Sequence, residues 1–276
     1  MSIPSFSLEG QVAIVTGGGA GIGQGIVHCL AEEGADVAVI DINGDNAKKV
    51  ADEVKALGRK SLAIEADLTD SKQVHQAVQE TIDTLGKIDI LVNNVGGLSE
   101  TSLARTSLQF VDVGEAEWGE TFELNLKTHV LMCQAVVPHF QKQKSGKIVN
   151  ISSTAGKIPH PWLMVYAAAK AADISLTRSL AMELGGDNIN VNCICPGIIY
   201  TPLWEKIAAQ RIRLLPDAEA KGMEPREYFL RMVPRVPLKR EQTAEDIGHA
   251  VAFLVSEDAK NITGQSLNIN GGSRMD

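Results

Sequence analysis

Tyr166 and Lys170 stand four residues apart in the segment Tyr-Ala-Ala-Ala-Lys. On a helix, that spacing puts both side chains on one face. A phenol, with an ordinary pKa of about 10, trades its proton poorly near neutrality. An ammonium a few ångströms away favours the phenolate and suits the tyrosine to general acid/base work. Alone, such a pair is more often a solvated surface contact. It gains weight from Ser153, thirteen residues upstream, whose hydroxyl can donate to an oxygen on which charge develops. Asn125 adds a fourth polar group among apolar neighbours, with a helix kink or a buried polar residue as its plainer reading.

A second constellation binds rather than reacts. An apolar run leads into Thr16-Gly-Gly-Gly-Ala-Gly-Ile-Gly23, which holds Gly17-x-x-x-Gly21-x-Gly23 but no GxGxxG. Glycines let a backbone approach a ligand closely, and a helix that follows points free N–H groups at a pyrophosphate. A tight strand-to-helix turn would use the same residues. Asp41 lies 18 residues beyond Gly23, near the roughly 20 expected of a carboxylate on the adenosine ribose hydroxyls. A carboxylate there repels a 2′-phosphate, and no Arg or Lys immediately follows it, so NAD is expected over NADP. A helix or turn cap is the other use of an aspartate here.

These residues need elements to hold them. Runs rich in Val and Ile predict strands at 12–16, 37–41, 61–65, 88–93, 147–151, 190–195 and 266–269. Helical patterns fall at 23–34, 46–57, 71–85, within 117–144, at 165–184 and at 244–254. Strands alternating with helices mean βαβ units and a parallel sheet buried on both faces. Two excursions, 98–116 and 198–238, break the rhythm. Each follows a strand, so each lies at the carboxyl edge where such sheets bind ligands. One domain over 1–276 is the economical reading, with 198–238 as a lid.

The bulk numbers exclude several classes. A net charge of −8 over 276 residues argues against sequence-independent nucleic-acid binding. Cys29, Cys133, Cys193 and Cys195 form neither CxxC nor a metal spacing with His, so core thiols and no metal are expected. No basic stretch and apolar core open the sequence, and no apolar run reaches the length of a membrane span. A cytoplasmic setting without membrane partners is the default.

The motifs, taken in order, resemble the short-chain dehydrogenase/reductase family. They are the glycine loop, Asp67-Leu68, Asn93-Asn94-Val95-Gly96, Asn125, Ser153, Tyr166 with Lys170, Pro196-Gly197 to Thr201, and Gly264-Gln265 to Asn270-Gly-Gly272. The resemblance spans essentially the whole chain. It implies a Rossmann-like α/β fold, a doubly wound parallel sheet of seven strands. Tyr166 is then the acid/base, Lys170 its support and a hold on the nicotinamide ribose, Ser153 the partner of the substrate oxygen, and Asn125 the holder of a relay water. NAD would meet Gly17, Gly21, Ile22 and Gly23, then Asp41 and Ile42. Asp67 and Leu68 would flank the adenine, with Asn94 and Gly96 near the adenosine ribose. Pro196, Gly197, Ile199 and Thr201 would lie toward the nicotinamide carboxamide. Val95, Ala169 and Asn190 stand where the family more often has Ala, Ser and Arg; none touches the chemistry.

The expected reaction is hydride transfer between NAD and a secondary alcohol or ketone, with a cyclic or polyol alcohol as the leading guess. A 3-oxoacyl-thioester reductase fits Asp41 poorly, and a non-catalytic NAD-binding redox sensor would not need the four polar groups. Tyr200, Trp204, Met223, Tyr228, Phe229 and Met232 could form an apolar lid, with Trp162 and Met164 as pocket wall; ordinary packing would use them equally well. Arg211, Arg213, Arg226, Arg231 and Arg235 could draw in an anion, though such charges usually form a solvated helix face. The helices around 125–140 and 165–184 carry apolar residues on more than one face, which predicts a homo-oligomer; the resemblance suggests a tetramer.

Overall fold

The computed structural model describes residues 6–105, 109–216 and 222–276. The apolar runs form seven strands: β1 (Val12–Thr16), β2 (Asp36–Asp41), β3 (Ser61–Glu65), β4 (Ile90–Asn93), β5 (Gly146–Ile151), β6 (Ile189–Pro196) and β7 (Ser266–Ile269). They make one sheet in the order β3-β2-β1-β4-β5-β6-β7, and every pairing is parallel. β1, β4 and β6 are buried at every position, as strands covered on both faces must be. The order reverses between β1 and β4, which leaves a crevice at the carboxyl ends of those strands.

Ten helices of the described residues connect or cover the strands: α1 (Gly21–Glu32), α2 (Gly44–Ala56), α3 (Ser71–Leu85), α4 (Glu100–Ala104), α5 (Glu115–Phe122), α6 (Thr128–Gln143), α7 (Met164–Leu184), α8 (Pro202–Arg213), α9 (Pro225–Leu230) and α10 (Ala244–Val255). Local chemistry sets their ends. Asn43 and Asp70 cap α2 and α3 by accepting from Asn46 N and Lys72 N, and Thr243 with Asp246 forms a capping box on α10. Neighbouring residues on β1 feed opposite layers. Val15 packs with Ile26, Leu30, Val50 and Val251 on the α1/α2/α10 side. Ile14 packs with Val78, Met132, Val136 and Phe140 on the α3/α6 side.

α1 and α10 approach unusually closely. A Cβ on Gly25 would lie 2.5 Å from Ala244 Cβ, and one on Gly248 would lie 2.5 Å from Cys29 Sγ. Cys29 Sγ donates to Glu245 O at 3.8 Å. Burial, then Glu32, Glu245 and Glu33, push the Cys29 thiol up to about 12. Burial pushes Cys133 to about 12 as well. All four cysteines are free and buried, as core thiols should be.

The differences from expectation are local. α1 begins at Gly21 rather than 23. β4 begins at Ile90, because the Asp89 carboxylate turns aside to accept from Val12 N at 2.8 Å. The long helix of 117–144 is broken by a π turn at Glu123–Lys127. Asn125 Nδ2 donates to Thr121 O at 2.9 Å and so takes the carbonyl that the helical ladder would use. The excursion 198–238 carries α8 and α9; its residues 217–221, and 106–108 of the other excursion, lie outside the described residues.

Candidate active site

Lys170 lies on the inner face of α7 and is 2% exposed. Its Nζ donates to Ile151 O at 3.0 Å and to Asp173 Oδ2 at 3.1 Å. Tyr166, one turn earlier, is half-buried, and Nζ lies 6.0 Å from its ring centroid. Burial opposes the Lys170 charge, but Asp173 and Tyr166 outweigh it, and the amine titrates above its ordinary value. Ser153 sits just beyond β5, where Oγ accepts from Ala155 N at 3.1 Å and starts the turn Thr154–Gly156. Next to it, Ser152 Oγ donates to Lys170 O at 2.7 Å and ties that turn to α7.

Asn125 occupies the π turn. Its Nδ2 donates to Gly97 O at 2.8 Å and its Oδ1 accepts from Gly97 N at 2.8 Å. Gly96 lies between Asn125 and the lysine: a Cβ there would stand 2.7 Å from Asn125 Oδ1 and 2.8 Å from Lys170 Nζ. Gly96 thus stands against both Lys170 and the π turn. Asn94 Nδ2 donates to Thr16 O and Gly17 O at 3.0 and 3.1 Å, so its amide braces the glycine loop.

Two residues beside Lys170 escaped the reading of the sequence. Asp173 is fully buried, and its Oδ1 lies 3.0 Å from His129 Nδ1. His129 Nε2 donates to Val95 O at 2.9 Å, since a carbonyl can only accept. Burial disfavours the Asp173 carboxylate, but His129 and Lys170 together hold its titration below the ordinary aspartate value. The available signals were an aspartate three positions after Lys170, on the face that must be buried, and a histidine four positions after Asn125.

The glycine loop fits a dinucleotide phosphate. Gly17 and Gly21 have φ of +61° and +55°, which other residues rarely adopt. Ala20, the N-cap of α1, offers no capping side chain, so the helix N–H groups stay open to a ligand. A Cβ on Gly19 would lie 2.9 Å from Asp41 Oδ2. That oxygen accepts from Gly19 N at 3.0 Å, and Oδ1 accepts from Asn43 N at 2.9 Å. Ile42 is 71% exposed beside it. Ile22 and Gly23 lie in the first turn of α1. Asp67, just past β3, accepts from Thr69 N at 2.9 Å, and Leu68 is buried. Across the crevice, Pro196 ends β6, and Gly197 N donates to Ile269 O at 3.0 Å. Ile199 is buried and bridges to Gln242. Thr201 caps α8 by accepting from Trp204 N, and its methyl carbon stands 3.3 Å from where a Gly21 Cβ would be.

On the substrate side, Phe229 is fully buried, with Tyr200 and Trp204 edge-on at 5.2 and 5.5 Å between centroids. Met223 is buried, and Tyr228 and Met232 are half-buried. Trp162 lines a narrow cavity with Tyr166, Leu98, Arg105 and Gln210. Met164 instead lines a separate groove along residues 155–161. Of the lid arginines, Arg226 pairs with Glu241 at 2.6 Å and stacks on Tyr200 at 4.7 Å, Arg231 pairs with Glu227 at 2.7 Å, and Arg213 donates to Leu103 O. Arg211 stacks on Trp162 at 5.5 Å.

Comparison with known proteins agrees with this architecture. The short chain dehydrogenase family model matches residues 11–212. Oxidoreductase UcpA of Salmonella typhimurium is 36% identical over 97% of this chain and 96% of its own. The (2S)-[(R)-hydroxy(phenyl)methyl]succinyl-CoA dehydrogenase subunit BbsD of Thauera aromatica is 36% identical over 98% of this chain and 99% of its own. The solved 7α-hydroxysteroid dehydrogenase, complexed with NADH and 7-oxo glycochenodeoxycholic acid, superimposes with a TM-score of 0.81 at 35% identity, covering 97% of this chain and 95% of that one. With its parallel seven-stranded sheet, its glycine loop at the order reversal and its Tyr-x-x-x-Lys beside that crevice, the chain belongs to the short-chain dehydrogenase family and is an oxidoreductase by that membership.

Proposed function

We propose that this protein is an NAD(H)-dependent dehydrogenase/reductase acting on secondary alcohols and ketones. In this reading residues 1–276 form one domain for cofactor and chemistry, with 198–238 as its lid. The observation that carries it is the Lys170 ammonium, buried and fixed at two points one turn from Tyr166. The nicotinamide, when bound, supplies or takes the hydride. In the reducing direction Tyr166 gives its hydroxyl proton to the substrate oxygen, and in the oxidising direction it removes that proton. Ser153 donates to the same oxygen and steadies its charge. Lys170 supports the negative tyrosine and offers N–H groups to the ribose. Asn125 keeps the π turn open beside Lys170, where a water can pass protons to solvent.

The glycine loop (Gly17, Gly21, Ile22, Gly23) is proposed to cradle the pyrophosphate, Asp41 and Ile42 to meet the adenosine ribose, and Asp67 and Leu68 the adenine. Asn94 and Gly96 shape the crevice wall. Pro196, Gly197, Ile199 and Thr201 hold the carboxamide. NADH in the solved relative supports the cofactor, and its 7-oxo ligand supports a ketone substrate. Turnover of secondary alcohols with NAD, read as the near-ultraviolet absorbance of reduced nicotinamide, tests the reading. Tight NAD binding with no turnover across a broad alcohol panel would instead favour a redox sensor.

Cofactor choice rests on Asp41. Wild type should prefer NAD over NADP by about 10²-fold in kcat/KM, since a like-charge encounter costs several kcal/mol. Asp41→Ser with Ile42→Arg should reverse the order, the exposed site of Ile42 leaving room for a guanidinium. Equal use of both cofactors by wild type would refute the assignment.

We also propose a homotetramer built on α6 and α7, where Met182 is 90% exposed on the outer face of α7. A monomeric mass by light scattering would refute this. Four free thiols suit a reducing, cytoplasmic compartment.

A further inference from the structure

Three groups able to carry positive charge converge around Trp162, whose ring lines the narrow cavity beside Tyr166. Arg105 lines the same cavity as Tyr166. Its Nη2 donates to Trp162 O at 3.2 Å, and its Nε lies 3.3 Å from Glu117 Oε2. Glu117 is 2% exposed and anchored by Ser102 Oγ at 2.7 Å. Arg211 lies over the Trp162 ring at 5.5 Å, and His160 meets the ring's edge at 6.5 Å. Arg105 Nη1, Arg211 Nη1 and His160 Nδ1 are all buried without a hydrogen-bond partner among the described residues.

The charges here do not balance. Glu117 answers Arg105, but no ion pair to a carboxylate answers Arg211 among the described residues. Burial presses the Arg211 guanidinium to titrate below its ordinary value; Tyr228 opposes this shift and Arg105 adds to it. Burial, and then Arg211, depress His160. Buried guanidinium donors are normally satisfied, most strongly by a planar oxyanion. Of the other lid arginines, Arg226 and Arg231 already have carboxylate partners in Glu241 and Glu227.

We propose that the substrate carries a carboxylate, which Arg211 and the free Nη1 of Arg105 bind beside Trp162 while its alcohol or ketone carbon lies at Tyr166. The substrates are then hydroxy acids and their oxo acids. The proposal names the substrate class for the dehydrogenase reading above and rests on it.

The test separates binding from turnover. Isothermal titration of phenylacetate and of phenylacetamide into the holoenzyme should give about tenfold tighter binding of the acid, the margin of a charge-assisted bond over a neutral one. Arg211→Gln should bring the two to parity, and Arg231→Gln, on the same lid but already paired, should leave the preference intact. Arg105→Lys, which keeps the charge facing Glu117 but loses the fork, should weaken the acid alone. In parallel, kcat/KM for mandelate should exceed that for mandelamide, and Arg211→Gln should remove the margin through KM. Equal binding of acid and amide by wild type, or an acid preference that survives Arg211→Gln, overturns the carboxylate site. Acid-selective binding that depends on Arg211, together with no turnover of any alcohol, upholds the site and strikes the dehydrogenase reading instead.

Discussion

Tyr166→Phe abolishes measurable turnover of every substrate while the protein stays folded. The substitution removes one oxygen. That oxygen makes no hydrogen bond to the protein among the described residues, so the fold loses nothing when it goes. The helix start is unaffected, because Phe keeps the ring that lies 6.0 Å from Lys170 Nζ. What is lost, in the function proposed above, is the group that exchanges a proton with the substrate oxygen, and general acid/base contributions run to about 10²–10⁴-fold. The expected result is a fall in kcat of about 10³-fold or more, with melting temperature and NAD affinity unchanged. Retention of a tenth of wild-type kcat would remove Tyr166 from the chemistry and transfer the role to another group in the crevice.

The second large effect lies one turn further along α7. Asp173→Ala strands two partners at once, the Lys170 ammonium and His129. Removing one member of a buried charged cluster costs about 3–5 kcal/mol, and urea unfolding should show a loss of that order. Asp173→Asn keeps the shape and one oxygen for Lys170 Nζ, so it should fold, and it separates support of the lysine from mere packing. Asp173 helps hold the Lys170 amine above its ordinary value. In the Asn variant burial prevails, the amine loses its proton at lower pH, and the alkaline limb of the kcat profile moves down. The stability linkage has its own sign. The carboxyl titrates lower in the folded protein than in the unfolded chain. Its contribution is therefore complete above an ordinary aspartate value of about 4 and is lost as pH falls through the folded value. Wild type should show that loss in acid, and Asp173→Asn should not. An Asn variant with an unmoved alkaline limb would reduce Asp173 to packing.

The contrast between Tyr166 and Asp173 shows what a sequence displays and what it hides. The tyrosine and lysine share a face by a fixed helical spacing, and Ser153 was placed by the strand that ends just before it. Those relations are local and survive without coordinates. Asp41 was legible for the same reason, since one strand and one helix separate it from the glycine loop. The pairing of Asp173 with His129 is different in kind. It spans two helices from distant parts of the chain and depends on how α6 packs beside α7, which no periodicity encodes. The π turn at Asn125 was hidden too, because it arises from competition between a side-chain amide and the backbone for Thr121 O. Five lid arginines looked alike as a sequence; Arg226 and Arg231 pair with Glu241 and Glu227, while Arg211 is set apart by a buried Nη1 without a partner among the described residues and by its place over Trp162.

The contact between α1 and α10 has a consequence for the order of assembly during synthesis. The helix behind the glycine loop leans, through Gly25 and Cys29, on a segment 216 residues further along the chain. Neither helix can seat fully until both exist, and contacts of such sequence separation form late. A nascent chain that has already exposed β1, the glycine loop and Asp41 therefore still lacks the brace that holds α1 in line. Its affinity for a dinucleotide should arrive abruptly, when residues 244–255 leave the ribosome, rather than with the motif that advertises it.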